Sequence, residues 1–400
     1  MFQQIRSNQI RSTFLVIGMG ILLALLGYFL GLYFTGSGAV GLVIALLIWA
    51  IMSLVGYFQG DSILLATARA KKINPEDHPR LYNVVEEMKI ASGLEKMPDI
   101  YIVDDPAMNA FATGRDPKKA SVAVTSGLLQ KVNRDELQGV IGHEMAHVRN
   151  RDVLLMAMAA VLLGTIVVLA WYASRFFIFG GMGRTRRSSS GGGGAGMLII
   201  LALAIVLMIL APIFAQFIYF ALSRRREYLA DASSALYTRY PDGLASALEK
   251  IAGSTEQLKS ANNATAPMYI INPFRKQGMT AQDLTSTHPP ISERIRILHA
   301  MSGASYEDYS RAYQEIRHTN KEFIPAAAAA AVGSVSLRRP SSEGAEKLEE
   351  VERVRDTNNA LWNVNKYRTI NCACGTRLRV PPTYKLAEIT CPHCGRINPV

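Results

Sequence analysis

The stretch Gly142–Asp152, GHEMAHVRNRD, stands directly before a long apolar run without charges. It contains two of the chain's seven histidines, His143 and His147, and a glutamate, Glu144, directly after the first. On an α-helix, residues four apart lie on one face, so both imidazoles can point at one metal ion. The arrangement H-E-x-x-H provides two zinc ligands and a general base that takes a proton from water. The sequence therefore predicts a site for zinc-dependent hydrolysis at the foot of a membrane segment.

The helix that carries this motif has a recognisable start. Asn133 can cap it, and Glu136, three residues later, can complete a capping box. A catalytic zinc site also needs a third protein ligand and an open fourth position. The third ligand is therefore expected among the acidic residues that follow the last apolar run.

The best candidate for the third ligand lies in SRRREYLAD, residues 223–231. Glu227 and Asp231 are four apart and share a helix face, so Glu227 can complete a site of two histidines and one glutamate. Asp231 can then hydrogen-bond an imidazole N–H and fix its tautomer. The alternative is that Glu227, in a basic run, forms a surface ion pair.

Composition indicates a membrane protein and suggests no disulfide framework. The chain has 400 residues, of which 49% are hydrophobic and 19% charged, and the apolar residues are concentrated in blocks. The formal net charge of +11 fits either nucleic acid or anionic lipid head groups. The four cysteines all lie within residues 372–394, which favours a metal site over a disulfide framework.

Four apolar runs are long enough to span a bilayer, which requires about 20 residues. The first is read as an uncleaved anchor, because it is too long for a signal peptide and no A-x-A-like cleavage site follows. For the last two, a pair of buried core helices is the alternative, and Pro212 is expected to kink the final run. The runs are Thr13–Phe34, Ala39–Phe58, Val153–Ala173 and Met197–Leu222.

Lysine and arginine near the span ends predict the orientation, because they accumulate on the cytoplasmic side. One side carries Arg6, Arg11, Arg69, Lys71, Lys72, Arg149, Arg151, Arg224, Arg225 and Arg226. The other side carries Arg175, Arg184, Arg186 and Arg187, in a Ser/Gly-rich loop between the last two spans. Both termini and the long segments are therefore expected in the cytoplasm. Two spans return the chain to the side that it left, so residues 143–147 and Glu227 are expected to meet.

The last part of the chain predicts a separate metal module. Residues 325–345 read as a linker, and EKLEEVERVRD (346–356) as a short charged helix. Two thiolate pairs, each followed by a glycine, then predict a zinc ribbon with four cysteine ligands: Cys372, Cys374, Cys391 and Cys394. We expect the ribbon to bind a protein partner or recruit substrate, with a purely structural cap as the alternative. Nucleic acid is not expected, because few aromatic residues interleave with its basic ones.

The sequence resembles the HtpX-like membrane zinc metalloproteases, relatives of the CAAX prenyl endopeptidases within the gluzincins. The resemblance covers roughly residues 1–300 and rests on HEMAH, SRRREYLAD, NAFATG (109–114) and STHPPISERI (286–295). It implies His143, His147 and Glu227 as zinc ligands, Glu144 as general base and a cytoplasmic active site. It also implies proteolysis of membrane proteins, usually in quality control.

The two remaining motifs have roles that the resemblance favours. An edge strand can pair with an extended substrate by β-augmentation, and the alternative is an ordinary hairpin. That strand consists of Asn109, Ala110, Phe111, Ala112 and Thr113. His288 can donate to a developing oxyanion and Arg294 can orient it. The alternative for His288 is a turn residue before two prolines.

The predicted fold is mostly α: an integral membrane protein with four transmembrane helices, a cytoplasmic gluzincin-type protease domain with a small β-sheet, and a zinc ribbon. Two transmembrane hairpins are predicted at residues 1–60 and 153–222, and two protease segments at 61–152 and 223–324. A linker with a short helix follows at 325–358, and the ribbon at 359–400. The predicted function is zinc-dependent endoproteolysis of membrane or misfolded proteins at the cell inner membrane. The rivals are a CAAX-type processing protease, whose chamber needs more spans, and a non-catalytic scaffold.

Overall fold

The computed structural model describes residues 2–179, 194–259, 269–270, 289–320, 335–340 and 346–400. Most of these residues are helical, as predicted. The helices are α1 Phe2–Thr35, α2 Gly38–Thr67, α3 Pro79–Ser92, α4 Ser126–Lys131, α5 Arg134–Arg149, α6 Asp152–Phe179, α7 Gly194–Thr238, α8 Pro241–Gly253, α9 Ile291–His299, α10 Tyr306–Arg317 and α11 Glu346–Val364. The strands are β1 Lys71–Lys72, β2 Asp99–Val103, β3 Ala110–Gly114, β4 Ala120–Thr125, β5 Arg368–Asn371, β6 Arg377–Val380, β7 Glu388–Thr390 and β8 Ile397–Pro399.

Three helical segments within the described residues are long and apolar enough to cross a membrane: Val16–Thr35, Gly38–Thr67 and Asp152–Trp171. Large apolar side chains such as Ile21, Leu47 and Val168 are exposed along them, as expected where the surrounding solvent is lipid. The chain is therefore an integral membrane protein.

The first two spans pack as a close hairpin, which their sequence permits through small residues. A Cβ atom on Gly41 would lie 2.0 Å from the carbonyl oxygen of Gly27, so only glycine allows the two backbones to approach this closely. The predicted fourth run, Met197–Leu222, lies within α7, a helix of 45 residues that contains Pro212. The predicted loop between α6 and α7 falls largely on residues 180–193, outside the described residues.

The small β-sheet has the order β1-β2-β4-β3, so β3 is an edge strand. β2 and β4 are parallel, whereas β3 runs antiparallel to β4. The strand predicted over residues 109–113 is thus present, shifted by one residue to Ala110–Gly114. The sheet packs with α3, α5 and α8 around the main hydrophobic core, which contains Ile100, Val122, Val140 and Leu248.

The chain between α10 and α11 is attached to the protease domain where it is described. Arg338 donates from Nη2 to Asp135 Oδ1 at 2.7 Å and to Gln138 Oε1 at 2.6 Å. The N–H of Ala304 donates to the carbonyl of Val335. The linker predicted over residues 325–345 is therefore held against the protease domain over residues 335–340, and the rest of it lies outside the described residues.

The helix α11 extends beyond the charged segment that the sequence marks, and the boundary predicted at residue 358 falls inside it. It continues to Val364 because its second half packs on the protease core. Ala360 is fully buried there, and Leu361 and Val364 pack against the same cluster. This helix is consequently in contact with the protease domain and does not stand apart from it.

Polar contacts fix the same interface. His78, the residue that caps α3, has its Nε2 atom 3.5 Å from Thr357 Oγ1. The Arg353 Nε atom donates to the carbonyl of Gln130 in α4 at 3.3 Å, and the Gln130 amide donates to Asn358. All of these protease contacts come from the region between α3 and the end of α4, so α11 covers that face.

Candidate metal centre and protease site

The helix α5 forms where the sequence predicts it, with Asn133 and Glu136 in a capping box. Its spacing of four residues places His143 and His147 on one face, with their Nε2 atoms 3.2 Å apart. Both imidazoles are buried. The two imidazoles therefore face the protein interior and not the solvent.

The helix α7 supplies the third group. Glu227 is buried at 2% exposure, with Oε2 3.5 Å from His143 Nε2 and Oε1 3.6 Å from His147 Nε2. The surface ion pair that was the alternative reading of Glu227 requires an exposed side chain. The burial of Glu227 excludes that reading.

These three ligand atoms have the spacing that a zinc ion requires. In a tetrahedral site with bonds of about 2.0–2.1 Å, neighbouring ligand atoms are about 3.3 Å apart. The two Nε2 atoms are 3.2 Å apart, and the Glu227 carboxylate approaches His143 through Oε2 at 3.5 Å and His147 through Oε1 at 3.6 Å, all close to that spacing. Two histidines and one carboxylate also form a donor set that zinc proteases use, and it leaves the fourth position for water or substrate.

Glu144 lies beside this cluster and is 2% exposed. Burial raises the pKa of its carboxyl group, while the neighbouring imidazoles and a backbone hydrogen bond from Ala112 oppose the change. A general base works best when its pKa lies near the working pH, so burial moves this carboxylate in the useful direction. The position after the first histidine is that of the base in the motif.

Behind His143, a buried ion pair fixes the ring. His143 Nδ1 is 2.9 Å from Asp231 Oδ1, and Arg294 donates from Nε and Nη2 to the two oxygens of Asp231 at 2.8 and 2.7 Å. Burial opposes ionisation of Asp231, but Arg294 and His143 hold the pKa of its carboxyl group below its usual value. Burial alone would lower the pKa of His143, but Asp231 and Glu227 raise it to about 9. A metal bound at Nε2 consequently displaces a proton.

Arg294 lies behind the ligand cluster. Its guanidinium is bound to Asp231 and to the carbonyl of Ile270 at 3.0 Å, and it lies 3.7 Å from Glu227. It therefore contacts the back of the ligand cluster, where it holds a carboxylate. Its expected partner at the oxyanion, His288, lies outside the described residues.

Asp152 is a contact residue that the sequence reading missed. Its Oδ2 atom is 3.3 Å from His147 Nδ1, and its side chain is fully buried. The available signal was an acidic residue five positions after the second histidine, at the first position of a span. Using that signal requires knowing how the chain bends between α5 and α6.

The edge strand β3 runs beside Glu144. The carbonyl of Asn109 accepts from the N–H of Thr125 in β4, whereas the carbonyl of Ala110 points to the other side and accepts from the N–H of Ile270. Backbone groups alternate along a strand, so those of Ala112 also point away from β4, towards the ligand cluster. Phe111 and Thr113 are buried beneath the same strand.

The four cysteines also meet in one cluster. The sulfurs of Cys372 and Cys394 are 3.5 Å apart and those of Cys374 and Cys391 are 3.7 Å apart. Bonds of about 2.3 Å place the sulfurs of a tetrahedral zinc site about 3.8 Å apart, so these separations fit. Each pair ends at a glycine with positive φ, Gly375 or Gly395, which turns the chain into the next strand. The two antiparallel hairpins, β5–β6 and β7–β8, are the arms of a zinc ribbon.

Comparison with known proteins identifies the family of this chain. The model of Peptidase family M48 matches residues 75–302. Proteins named Protease HtpX homolog from Dictyoglomus turgidum and Thermoanaerobacter pseudethanolicus are each 43% identical to this chain over 300 residues. The matches cover 75% of this chain and 94% and 97% of those proteins.

A third relative, the Protease HtpX homolog of Lactobacillus helveticus, is 40% identical over 301 residues and is covered completely. Among solved structures, Ste24p of S. mikatae is 21% identical, with 74% of this chain and 67% of that chain covered and a TM-score of 0.38. The C-terminal ribbon lies beyond the family match. The chain belongs to peptidase family M48, and it is a zinc-dependent endopeptidase of the membrane with the HtpX proteases as its relatives.

Proposed function

We propose that His143, His147 and Glu227 hold the catalytic zinc ion and that Glu144 is the general base. The observation that supports this is the buried triangle of three ligand atoms with tetrahedral spacing, directly beside a second buried carboxylate. When bound, zinc supplies a Lewis acid that polarises the peptide carbonyl and lowers the pKa of the attacking water. The ion has the residues that it needs without any rearrangement of α5 or α7.

Glu144 takes the proton from the attacking water and passes it to the amine that leaves. The hydrogen bond from the backbone of Ala112 holds its carboxylate in place. A base held by a strand edge keeps its orientation as substrate enters, and general bases of this kind typically contribute about 10²–10⁴-fold to the rate.

Substrate is proposed to bind in extended form along β3, from Asn109 to Thr113. The N–H of Ala112 donates to Glu144, so a strand that pairs with β3 next to it brings its own peptide bonds close to the base. Main-chain pairing supplies affinity with little sequence preference, which suits a protease with many substrates. His288 is proposed as the donor to the oxyanion, by the resemblance of its motif.

The membrane arrangement is proposed to have four spans, with α7 providing the fourth. Both termini and the active site then lie in the cytoplasm at the inner membrane, in line with the excess of Lys and Arg on that side. The helices α6 and α7 leave the membrane next to each other, which brings His147 and Glu227 together. The bilayer itself is thus a partner of the protease.

The proposed substrates are membrane proteins and misfolded proteins, so the activity serves quality control. The ribbon is proposed to hold a second, structural zinc ion and to bind a protein partner or recruit substrate. Its sulfur spacing supports the ion, and its contact with α11 through Arg379 and Asn359 supports recruitment, because α11 packs on the protease domain. A CAAX-type processing activity remains the rival, and it would require cleavage that depends on a prenylated terminus.

The direct test is digestion of a model membrane protein by the purified chain in detergent. Cleavage is expected, together with its loss on zinc chelation and its recovery on adding zinc back. An unprenylated substrate that is cut separates the proposal from the CAAX-type rival. No cleavage of any membrane substrate by the zinc-loaded chain would overturn the proposal.

Topology can be tested separately with a membrane-impermeant thiol reagent on intact cells. A cysteine introduced at Ser37, in the turn between α1 and α2, is expected to be labelled from outside. The four natural cysteines are in the ribbon and are expected to stay unlabelled, even with a permeant zinc chelator, until the cells are opened. Labelling of the ribbon in intact cells would place the C-terminus outside the cytoplasm and contradict the proposed topology.

A further inference from the structure

The junction between α5 and α6 has a constrained backbone. α5 ends at Arg149, and α6 begins at Asp152, only three residues later. Between them, Arg151 adopts a left-handed conformation with φ of 58°. That conformation costs a residue other than glycine about 1 kcal/mol or more, so packing must hold it in place. The bend returns the chain towards the helix that it has just left.

The bend brings Asp152 against the second histidine. Its Oδ2 atom lies 3.3 Å from His147 Nδ1, while the Nε2 atom of the same ring points at His143 and Glu227. A neutral imidazole carries its proton on one nitrogen only, and a carboxylate at Nδ1 keeps that proton there. The Nε2 lone pair is then available for a metal ion.

The first histidine has the same arrangement with a different support. Asp231 contacts His143 Nδ1 at 2.9 Å and is itself bound by Arg294. Asp152 is instead the first residue of a candidate membrane span. Further along that span, α6 packs closely on α2, since a Cβ atom on Gly60 would lie 3.1 Å from the Cβ of Ala157. The position of Asp152 is therefore set within the helical bundle.

An acidic residue at the start of a helix has a simpler explanation, which is a favourable interaction with the helix dipole. That interaction needs no burial, and it works at the surface, as Glu307 does in the first turn of α10. Asp152 is fully buried and faces an imidazole nitrogen. Burying a carboxylate is costly unless it is hydrogen-bonded, so its location points to His147.

We propose that Asp152 is a positioning residue that holds His147 in the tautomer that binds the metal, and that it ties this ligand to the membrane span that it begins. The inference rests on the proposed function, in which His147 is a zinc ligand. It adds a mechanical link, because any shift of α6 in the bundle moves the carboxylate that orients the ligand.

The test measures zinc affinity at equilibrium and not activity. The full-length chain is titrated with chelators of graded strength, and two release steps are expected, one for each cluster. The His147→Ala variant identifies the step that belongs to the protease site. Asp152→Ala is expected to weaken zinc in that step by about 10–100-fold, and Asp152→Asn, which keeps an oxygen acceptor, by less.

Asp242→Asn is the matched control. Asp242 lies in the first turn of α8 and contacts a histidine ring, His299, at 2.7 Å, but it is far from the ligand cluster. Its substitution is expected to leave both release steps unchanged. Thermal unfolding of the zinc-free variants shows whether Asp152→Ala acts through the fold alone.

The outcomes distinguish a failure of the role of Asp152 from a failure of the proposed metal site. If His147→Ala removes a release step and Asp152→Ala leaves zinc affinity within twofold of wild type, the role of Asp152 is overturned while the metal site stands. If His147→Ala removes neither step, the proposed metal site itself fails. If Asp152→Ala and Asp152→Asn weaken zinc equally and also lower the zinc-free unfolding temperature equally, Asp152 is a structural residue of α6 and the proposal falls.

Discussion

The two metal-ligand clusters of this chain are built in opposite ways. The His–Glu cluster draws on α5 and α7, and 80 residues, which include α6 and the apolar first part of α7, separate His147 from Glu227. All three of its ligands are buried, and carboxylates stand behind both imidazoles. The cysteine cluster is assembled from two short hairpins, and two of its four thiols are exposed.

This difference indicates what holds the ligands of each cluster in place. The His–Glu cluster is organised by helices that belong to a large hydrophobic core, so the protein positions the ligands before any metal arrives. The apolar cluster of the ribbon consists of Leu378 and two of the cysteines, with Ile370 and Ile389 packed against it. So small a core is not expected to hold the hairpins together, and we propose that a metal ion on the four cysteines does so.

Zinc removal therefore has its largest expected effect on the ribbon. Apparent binding free energies for structural zinc are about 10–16 kcal/mol, and most of that is folding free energy. On full chelation, amide protons in β5–β8 are expected to lose their protection in hydrogen exchange, while those of α5 keep it. Loss of protection in both regions would show that the His–Glu cluster also depends on its metal for folding, which would remove the contrast.

Glu144 is a second point of contrast, because it places a buried acid directly beside the His–Glu ligands. Glu144→Gln keeps the size of the side chain and removes the proton acceptor, so peptide cleavage is expected to fall by at least about 10²-fold. The zinc content is expected to stay at the wild-type level. The exposed Glu95 provides the control, since Glu95→Gln should retain full activity. Activity of Glu144→Gln within tenfold of wild type would remove this residue from the role of base.

The position of α11 sharpens the comparison, because this helix belongs structurally to the protease although it lies beyond the family match. Deletion of residues 365–400 removes the ribbon alone, and cleavage of a short peptide is expected to survive it. Deletion of residues 346–400 also uncovers His78 and the core beside Ala360. That change is expected to cost roughly 2–4 kcal/mol of stability through lost apolar burial.

Thermal unfolding of the two truncated chains in the same detergent measures this difference. The longer deletion should unfold at a clearly lower temperature than the shorter one. Equal unfolding temperatures would return α11 to the role of a spacer, as the charged character of its first half suggests from sequence.

The ligand triangle is the part of the site that the sequence predicts best. A spacing of four residues in His143 and His147 is meaningful on a helix, and the helix has a visible cap. Two spans that return the chain to one side then identify Glu227 out of many acidic residues. The structure brings these three side chains together, as periodicity along α5 predicts for the two histidines. The membrane topology and the ligand roles stay predictions.

Other features depend on geometry that the sequence does not display. Asp152 reaches His147 only because Arg151, an ordinary residue, takes a left-handed conformation. Arg294 binds Asp231, which lies 63 residues earlier in the sequence, and nothing in the motif around Arg294 predicts that partner. In α11 the fully buried residues Thr357 and Ala360 are small, and the larger apolar residues Leu361 and Val364 are only partly buried, so the contact with the protease leaves a weak apolar pattern.

The smallest expected effect concerns pH at the contact between α11 and the protease domain. His78 is almost fully buried, its Nδ1 atom accepts from the N–H of Leu81, and its Nε2 atom faces Thr357. Burial, with a contribution from Arg80, lowers the pKa of His78 to about 4. Since the unfolded side chain has a pKa of about 6.5, the unfolded state takes up the proton first as pH falls. Stability from this group is full above pH 6.5 and declines towards pH 4.

Between pH 6.5 and pH 5 the expected loss is roughly 1–2 kcal/mol. The control is His78→Asn, because asparagine can cap α3 as well as histidine does and has no charge to gain. Both proteins contain the same two metal clusters, so the acid sensitivity of those clusters cancels when the two unfolding temperatures are compared at each pH. The wild type should lose more stability than His78→Asn over this range, and the difference should disappear once residues 346–400 are deleted. If the two proteins lose stability in parallel, protonation of His78 does not control the contact, and the acid response must be assigned to the metal ligands instead.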